Sequence, residues 1–136
     1  MKLQPHHIAP YLPFELKIIG NTHGYVKTLS GLHNEDVYVT EQNNTRYGAW
    51  ADLTDIKLIL RPLDLTKPIT VDGIEIFPIV EILHQYNSLL AGGEPYTEKD
   101  LSKNPMYWEY WAVEKLFEWH FDVFGLIEQG LAVELT

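Results

Sequence analysis

Glu118-Trp119-His120-Phe121-Asp122-Val123-Phe124-Gly125-Leu126-Ile127 is the stretch on which the fold turns. It sets an imidazole between two carboxylates among large apolar side chains, which at first sight suggests a catalytic cluster. Coiled as a helix, the same residues separate. At about 100° per residue, roughly 160° lies between His120 and either Glu118 or Asp122. Only residues three or four apart become neighbours on a helix, so these three cannot form one acid–base group there.

Upstream, Asn104-Pro105 supplies an N-cap and a proline for the first helical position. This predicts a helix over about 105–124. Trp108, Ala112, Leu116, Phe117, Trp119, Val123 and Phe124 spread over one half of its circumference, with His120 in the middle of that arc. His120 then reads as a neutral core imidazole bonded to backbone or sheet. The sharper alternative makes it a switch or ligand facing a pocket under the sheet. Glu114, Glu118 and Asp122 line the opposite side. They read as a solvated face, because like charges one turn apart repel by only a few tenths of a kcal/mol. The alternative is a hard-cation site. Tyr110, Trp111 and Phe121 project toward the polar side and read as a face for a partner or for self-association. The competing reading has Tyr11–Phe14 or the loop 93–103 covering them.

A second helix is predicted over about 78–91. Pro78 suits its start and Gly92-Gly93 its stop. Ile79, Ile82, Leu83, Tyr86, Leu89 and Leu90 share one face, and Glu81, His84, Gln85 and Ser88 the other. The residues before Pro78 read as strands: Glu15–Ile19, Tyr25–Leu29, Val37–Thr40, a return over Thr45–Trp50, Ile56–Leu60, and a hairpin of Ile69–Val71 and Ile74–Phe77. Asp72-Gly73 between the last two is a type I′ turn pair. Leu131–Leu135 is a candidate closing strand. Strands first and helices second predict an α+β domain, 1–136, with an antiparallel twisted sheet from the N-terminal half and the two helices packed on it.

Composition narrows function by exclusion. Nineteen acidic against ten basic residues give a net charge of −9, a poor basis for binding phosphate backbones. No direct nucleic-acid contact is therefore expected. Cysteine is absent, which removes thiolate nucleophiles, thiolate metal sites and disulfides. The start, Met1–His7, lacks the apolar core of a signal peptide, and no stretch reaches the ~20 apolar residues of a membrane helix. His6, His7, His23, His33 and His84 are scattered, and adjacent His6 and His7 would point apart on a strand. No metal or cofactor is expected. Phosphate-loop, dinucleotide, nucleophile-elbow and paired-histidine zinc motifs are all missing.

Three segments taken together carry a resemblance. They are His7-Ile8-Ala9-Pro10-Tyr11-Leu12-Pro13, Ile56–Lys67 with its Leu60-Arg61-Pro62-Leu63-Asp64 centre, and Leu116–Ala132, which is the most specific. In this order the chain resembles a family of small uncharacterised proteins encoded by phages and prophages of gut anaerobic bacteria. The matching blocks cover about a quarter of the chain. The resemblance implies a bacterial cytoplasmic setting and a dispensable, phage-linked role, and it carries over no catalytic residue.

The leading expectation is thus a non-enzymatic interaction protein, binding another protein or itself through Tyr110, Trp111, Phe121, Glu114, Glu118 and Asp122. The rival is a small enzyme or ligand-binding domain that uses His120 or His84 in a pocket at the sheet–helix junction. A third reading is an acidic decoy that occupies a nucleic-acid-binding protein.

Overall fold

The computed structural model describes residues 2–21, 24–41, 44–88, 97, 99, 105 and 108–135, and of 44–47 the backbone alone. The contacts divide the chain into two compact units, Met1–Pro62 with Leu116–Thr136, and Leu63–Lys115.

The first unit is built on strands β1 (Lys17–Gly20), β2 (Val26–His33), β3 (Asp36–Glu41), β4 (Asn44–Asp52) and β5 (Ile56–Leu60). A last strand, here numbered β8 (Ala132–Glu134), joins them in a six-stranded sheet of order β4-β3-β2-β1-β5-β8. All pairings are antiparallel except that of β5 with β8. Register explains which face is buried. Ile18 lies opposite Leu58, Leu58 opposite Ala132, and Leu29 opposite Val39. All five are buried, as side chains on one face of a pleat must be when that face meets the core.

The N-terminal residues are not a strand. Pro5–Ile8 forms a single helical turn, α1, continued by a 3-10 stretch over Ala9–Phe14. His6 and His7 therefore do not point apart; their rings sit 4.1 Å from each other. The buried His7 accepts the Gln4 amide on Nδ1, which stops the turn's start from fraying. Tyr11 is fully buried, meets the Phe117 ring edge-on at 5.0 Å, and donates its hydroxyl to the carbonyl of Phe121.

The second unit holds a two-stranded hairpin, β6 (Ile69–Val71) and β7 (Ile74–Ile76), and helix α2 (Pro78–Ser88). Asp72 and Gly73 both take positive φ, 51° and 78°, as a type I′ turn demands. The hairpin forms its own sheet and does not extend the larger one. On α2, Pro78, Ile82 and Tyr86 are buried at one-turn intervals. Tyr86 stacks on Trp111 at 4.5 Å, and its hydroxyl accepts the Glu109 amide. Residues 89–91 of the first predicted helix, and the Gly92-Gly93 stop, lie outside the described residues.

Helix α3 spans Tyr110–Glu118, not 105–124. Pro105 sits instead in a short 3-10 turn, and the backbone reverses after Glu118. The Phe121 amide donates to the Leu116 carbonyl at 2.9 Å, and the His120 amide to Phe117 at 3.0 Å. This pair of bonds, closed by a residue in the left-handed conformation, is a Schellman stop. His120 occupies that position with φ 61°. Leu116 and Phe121, the two positions whose apolar contact commonly accompanies such a stop, are both buried. Beyond it the chain runs beside β5: Arg61 donates its amide to the His120 carbonyl, and Asp122 donates its amide to the Arg61 carbonyl, each at 2.8 Å.

Candidate functional site

The residues that look most chemical in the sequence have structural partners. His120 Nε2 lies 2.7 Å from the carbonyl of Phe14. A carbonyl only accepts, so Nε2 carries the proton. Burial holds the His120 pKa below its ordinary value of 6.5; the bond to Phe14 opposes this, and the positive charges of Arg61 and Lys17 add to it. The ring's charged neighbours among the described residues are the cations Arg61 and Lys17, and its Nε2 hydrogen bond goes to a backbone carbonyl.

Asp122 is buried, contrary to the outward placement predicted for it. Its Oδ1 accepts the Leu126 amide at 2.7 Å and its Oδ2 the Ile127 amide at 2.9 Å. It thereby caps a helical turn that Gly130, with φ 75°, closes ahead of β8. Phe121 is also inside, 1% exposed, rather than on a surface face. The cause is the same for both. The Schellman reversal at His120 ends the helical phase, so positions after 118 no longer follow the predicted wheel.

The proposed aromatic and acidic face is therefore not continuous. Tyr110 is 80% exposed, and Glu114 and Glu118 are exposed. Trp111 is half-buried against Tyr86. His84 lies on the exposed side of α2 in the second unit. Among the described residues no three His, Asp or Glu side chains gather closely enough to hold a metal ion. No described helix is long and apolar enough to cross a membrane.

Two features of the first unit offer more. The first is the edge strand β4, nine residues long and paired only with β3 in the sheet order. Among the described residues, no strand pairs with the other side of its backbone, and such an edge is a template for pairing with another chain. Gly48, Ala49 and Trp50 are exposed along it, Trp50 by 57%. Trp50 packs against Tyr38 with ring centroids 5.3 Å apart and the rings tilted by 52°, and meets His33 edge-on at 6.3 Å. Tyr38 lies across Gly48: a Cβ there would come within 2.4 Å of the ring. Glycine is required at 48 so that Tyr38 can lie flat and support Trp50.

The second feature is a half-open cleft of about 290 Å³ on the buried face of the sheet. Ile18, Val39 and Ile56 form its apolar lining, and Gly20, Lys27 and Asp55 border it.

Sequence reasoning placed a strand near β4 but saw no function in it. The signal was the run Gly48-Ala49-Trp50-Ala51, uncharged in a chain otherwise rich in acids. No family model matches this chain, and comparisons with curated proteins and with solved structures find no significant match.

Proposed function

We propose that this chain is a non-catalytic interaction module that pairs with a second copy of itself through β4. The observation that carries this reading is the nine-residue edge strand with an open backbone side and an exposed tryptophan supported from beneath. Hydrogen bonding along the edge would supply the affinity, and the side chains would set the register.

A second copy fits the edge better than an unrelated strand because β4 is self-complementary. Two identical strands pair antiparallel about a twofold axis. Centred on Ala49, that axis sets position 48 of one copy opposite position 50 of the other, glycine against tryptophan. It also sets position 46 opposite position 52, the strand's one basic residue against its one acidic residue. Opposite charges directly across a pair stabilise it. The edge is thus neutral where the chain as a whole is strongly acidic. Set beside the sequence resemblance, such a module suits an accessory, phage-linked role in the cytoplasm of a bacterial host.

The test is a charge swap at the axis. Ala49 is exposed and pairs with Val39 inside the sheet. Ala49→Lys or Ala49→Glu would each set two like charges directly opposite one another and should give monomers by light scattering. Mixing the two variants should restore a one-to-one dimer. A wild-type chain that stays monomeric at all concentrations, or variants that dimerise alone as well as together, would reject the reading.

A further inference from the structure

We propose that the cleft on the sheet binds a small aliphatic α-amino acid as its zwitterion. The cleft is built within one chain, with Ala51 of β4 at its lining.

Two residue choices at this place depart from what a plain sheet core would select. The first is Gly20. It lies opposite Ile56 and two residues from Ile18, so its missing side chain belongs on the cleft face. Its φ is not left-handed, and a Cβ built on it would meet nothing within 4 Å. Neither backbone nor packing requires glycine there; the empty space is the cleft itself. The second is Lys27. It lies opposite the buried Ile18 and two residues before the buried Leu29, in a row that is otherwise apolar. Lys17, on the opposite face, donates its ammonium to the Thr28 hydroxyl at 2.6 Å. Lys27 has no such hydrogen bond and no ion pair among the described residues. The Lys27 side chain is half-buried beside the cleft, and an ammonium there can meet a bound carboxylate. At the margin of the same cleft stands the exposed carboxylate of Asp55, not paired with Lys27. Local choices that weaken a fold without structural return mark candidate sites.

Size and charge then select the ligand. About 290 Å³ is room for roughly ten water-sized groups, which suits an amino acid and not a nucleotide. One cation and one carboxylate cancel, so neither a simple anion nor a simple cation is favoured, and the chain's net charge of −9 works further against anions. A zwitterion satisfies both: carboxylate toward Lys27, ammonium toward Asp55, and an aliphatic side chain over Ile18, Val39 and Ile56.

Titration of the isotope-labelled full chain with L-leucine, followed by amide NMR shifts, tests the proposal. Saturable shifts around Lys27, Ile18 and Ile56 are expected. Isocaproate, which lacks the ammonium, and isoamylamine, which lacks the carboxylate, should each bind about tenfold more weakly or worse. Lys27→Met should weaken leucine binding without weakening isoamylamine, and Asp55→Asn should weaken leucine without weakening isocaproate. Gly20→Val should abolish binding of all three while leaving the fold's spectrum intact. Leucine should also bind the wild-type chain diluted until light scattering shows it monomeric, which separates this outcome from the fate of the pairing reading. No saturable shift up to about 10 mM leucine, isocaproate binding as tightly as leucine, or undiminished binding by Gly20→Val would each overturn the proposal.

Discussion

The two edges of the six-stranded sheet are finished in opposite ways. At one end β8 is three residues long, runs parallel to β5 and ends on Glu134. It is short and carries a charge, both ordinary protections against unwanted pairing. It is also tied from behind, because Asp122 and Gly130 form the turn that delivers it and the Leu135 amide donates to Leu60. At the other end β4 is three times as long and exposes Gly48, Ala49 and Trp50. The residues that look catalytic belong to the protected edge, where they hold backbone. The open edge contains no residue of catalytic type between Gly48 and Ala51. Among the described residues, buried polar groups close one edge of the sheet and the other has none of these ties.

The contrast breaks most severely at Asp122. Asp122→Ala should remove one buried and one part-buried charge-assisted hydrogen bond and strand the amides of Leu126 and Ile127. A loss of about 3–5 kcal/mol is expected in denaturant unfolding, with hydrogen exchange rising first in β8. A loss under about 1 kcal/mol would mean that the protected edge does not depend on its cap. At the open edge, Ala49→Lys should leave monomer stability within about 0.5 kcal/mol, as surface changes usually do, yet weaken association by about tenfold or more. Gly48→Ala should force Tyr38 off the strand and cost about 1 kcal/mol through the lost Tyr38–Trp50 contact. Tyrosine and tryptophan fluorescence would follow that displacement, and unchanged spectra would argue against the stack.

Acid is the gentlest probe and acts on the protected side. Burial depresses the pKa of His120, and burial together with His6 depresses that of His7, both below 6.5. The unfolded chain then binds protons that the folded chain refuses, so stability rises with pH through that window. Their contribution is fully present above about 6.5 and is lost as pH falls toward the lowered folded values. Unfolding midpoints measured from pH ~7 to ~5 should decline, and His120→Gln should flatten the decline. A midpoint that rises on acidification would contradict the neutral, carbonyl-bound imidazole.

Local pattern was a good guide wherever one short segment decided the outcome. The hairpin at Asp72-Gly73 was legible because positive φ at two successive residues selects for that pair. Strand β5 and the start of α2 at Pro78 were legible from an apolar run stopped by Pro62 and from proline's fixed φ. The helix end was not. Left-handed stops select glycine, so Gly125 drew the boundary, while the chain stops five residues earlier on a histidine. His120 tolerates that conformation because Leu116, Phe121, Phe14 and Arg61 hold the turn from four directions, and no window of sequence contains all four.

The amino-acid order alone determined the α+β class, the hairpin, the strands around an apolar face, and the absence of any thiol chemistry, because each follows from periodicity or composition within a few residues. Tertiary structure alone decided that Asp122 and Phe121 turn inward, that β8 pairs parallel with β5, that β4 ends the sheet, and that Gly20 and Lys27 border one hollow. Those outcomes depend on residues far apart in the chain meeting across a sheet, and the register that brings them together is set by the whole packed core, not by any one strand.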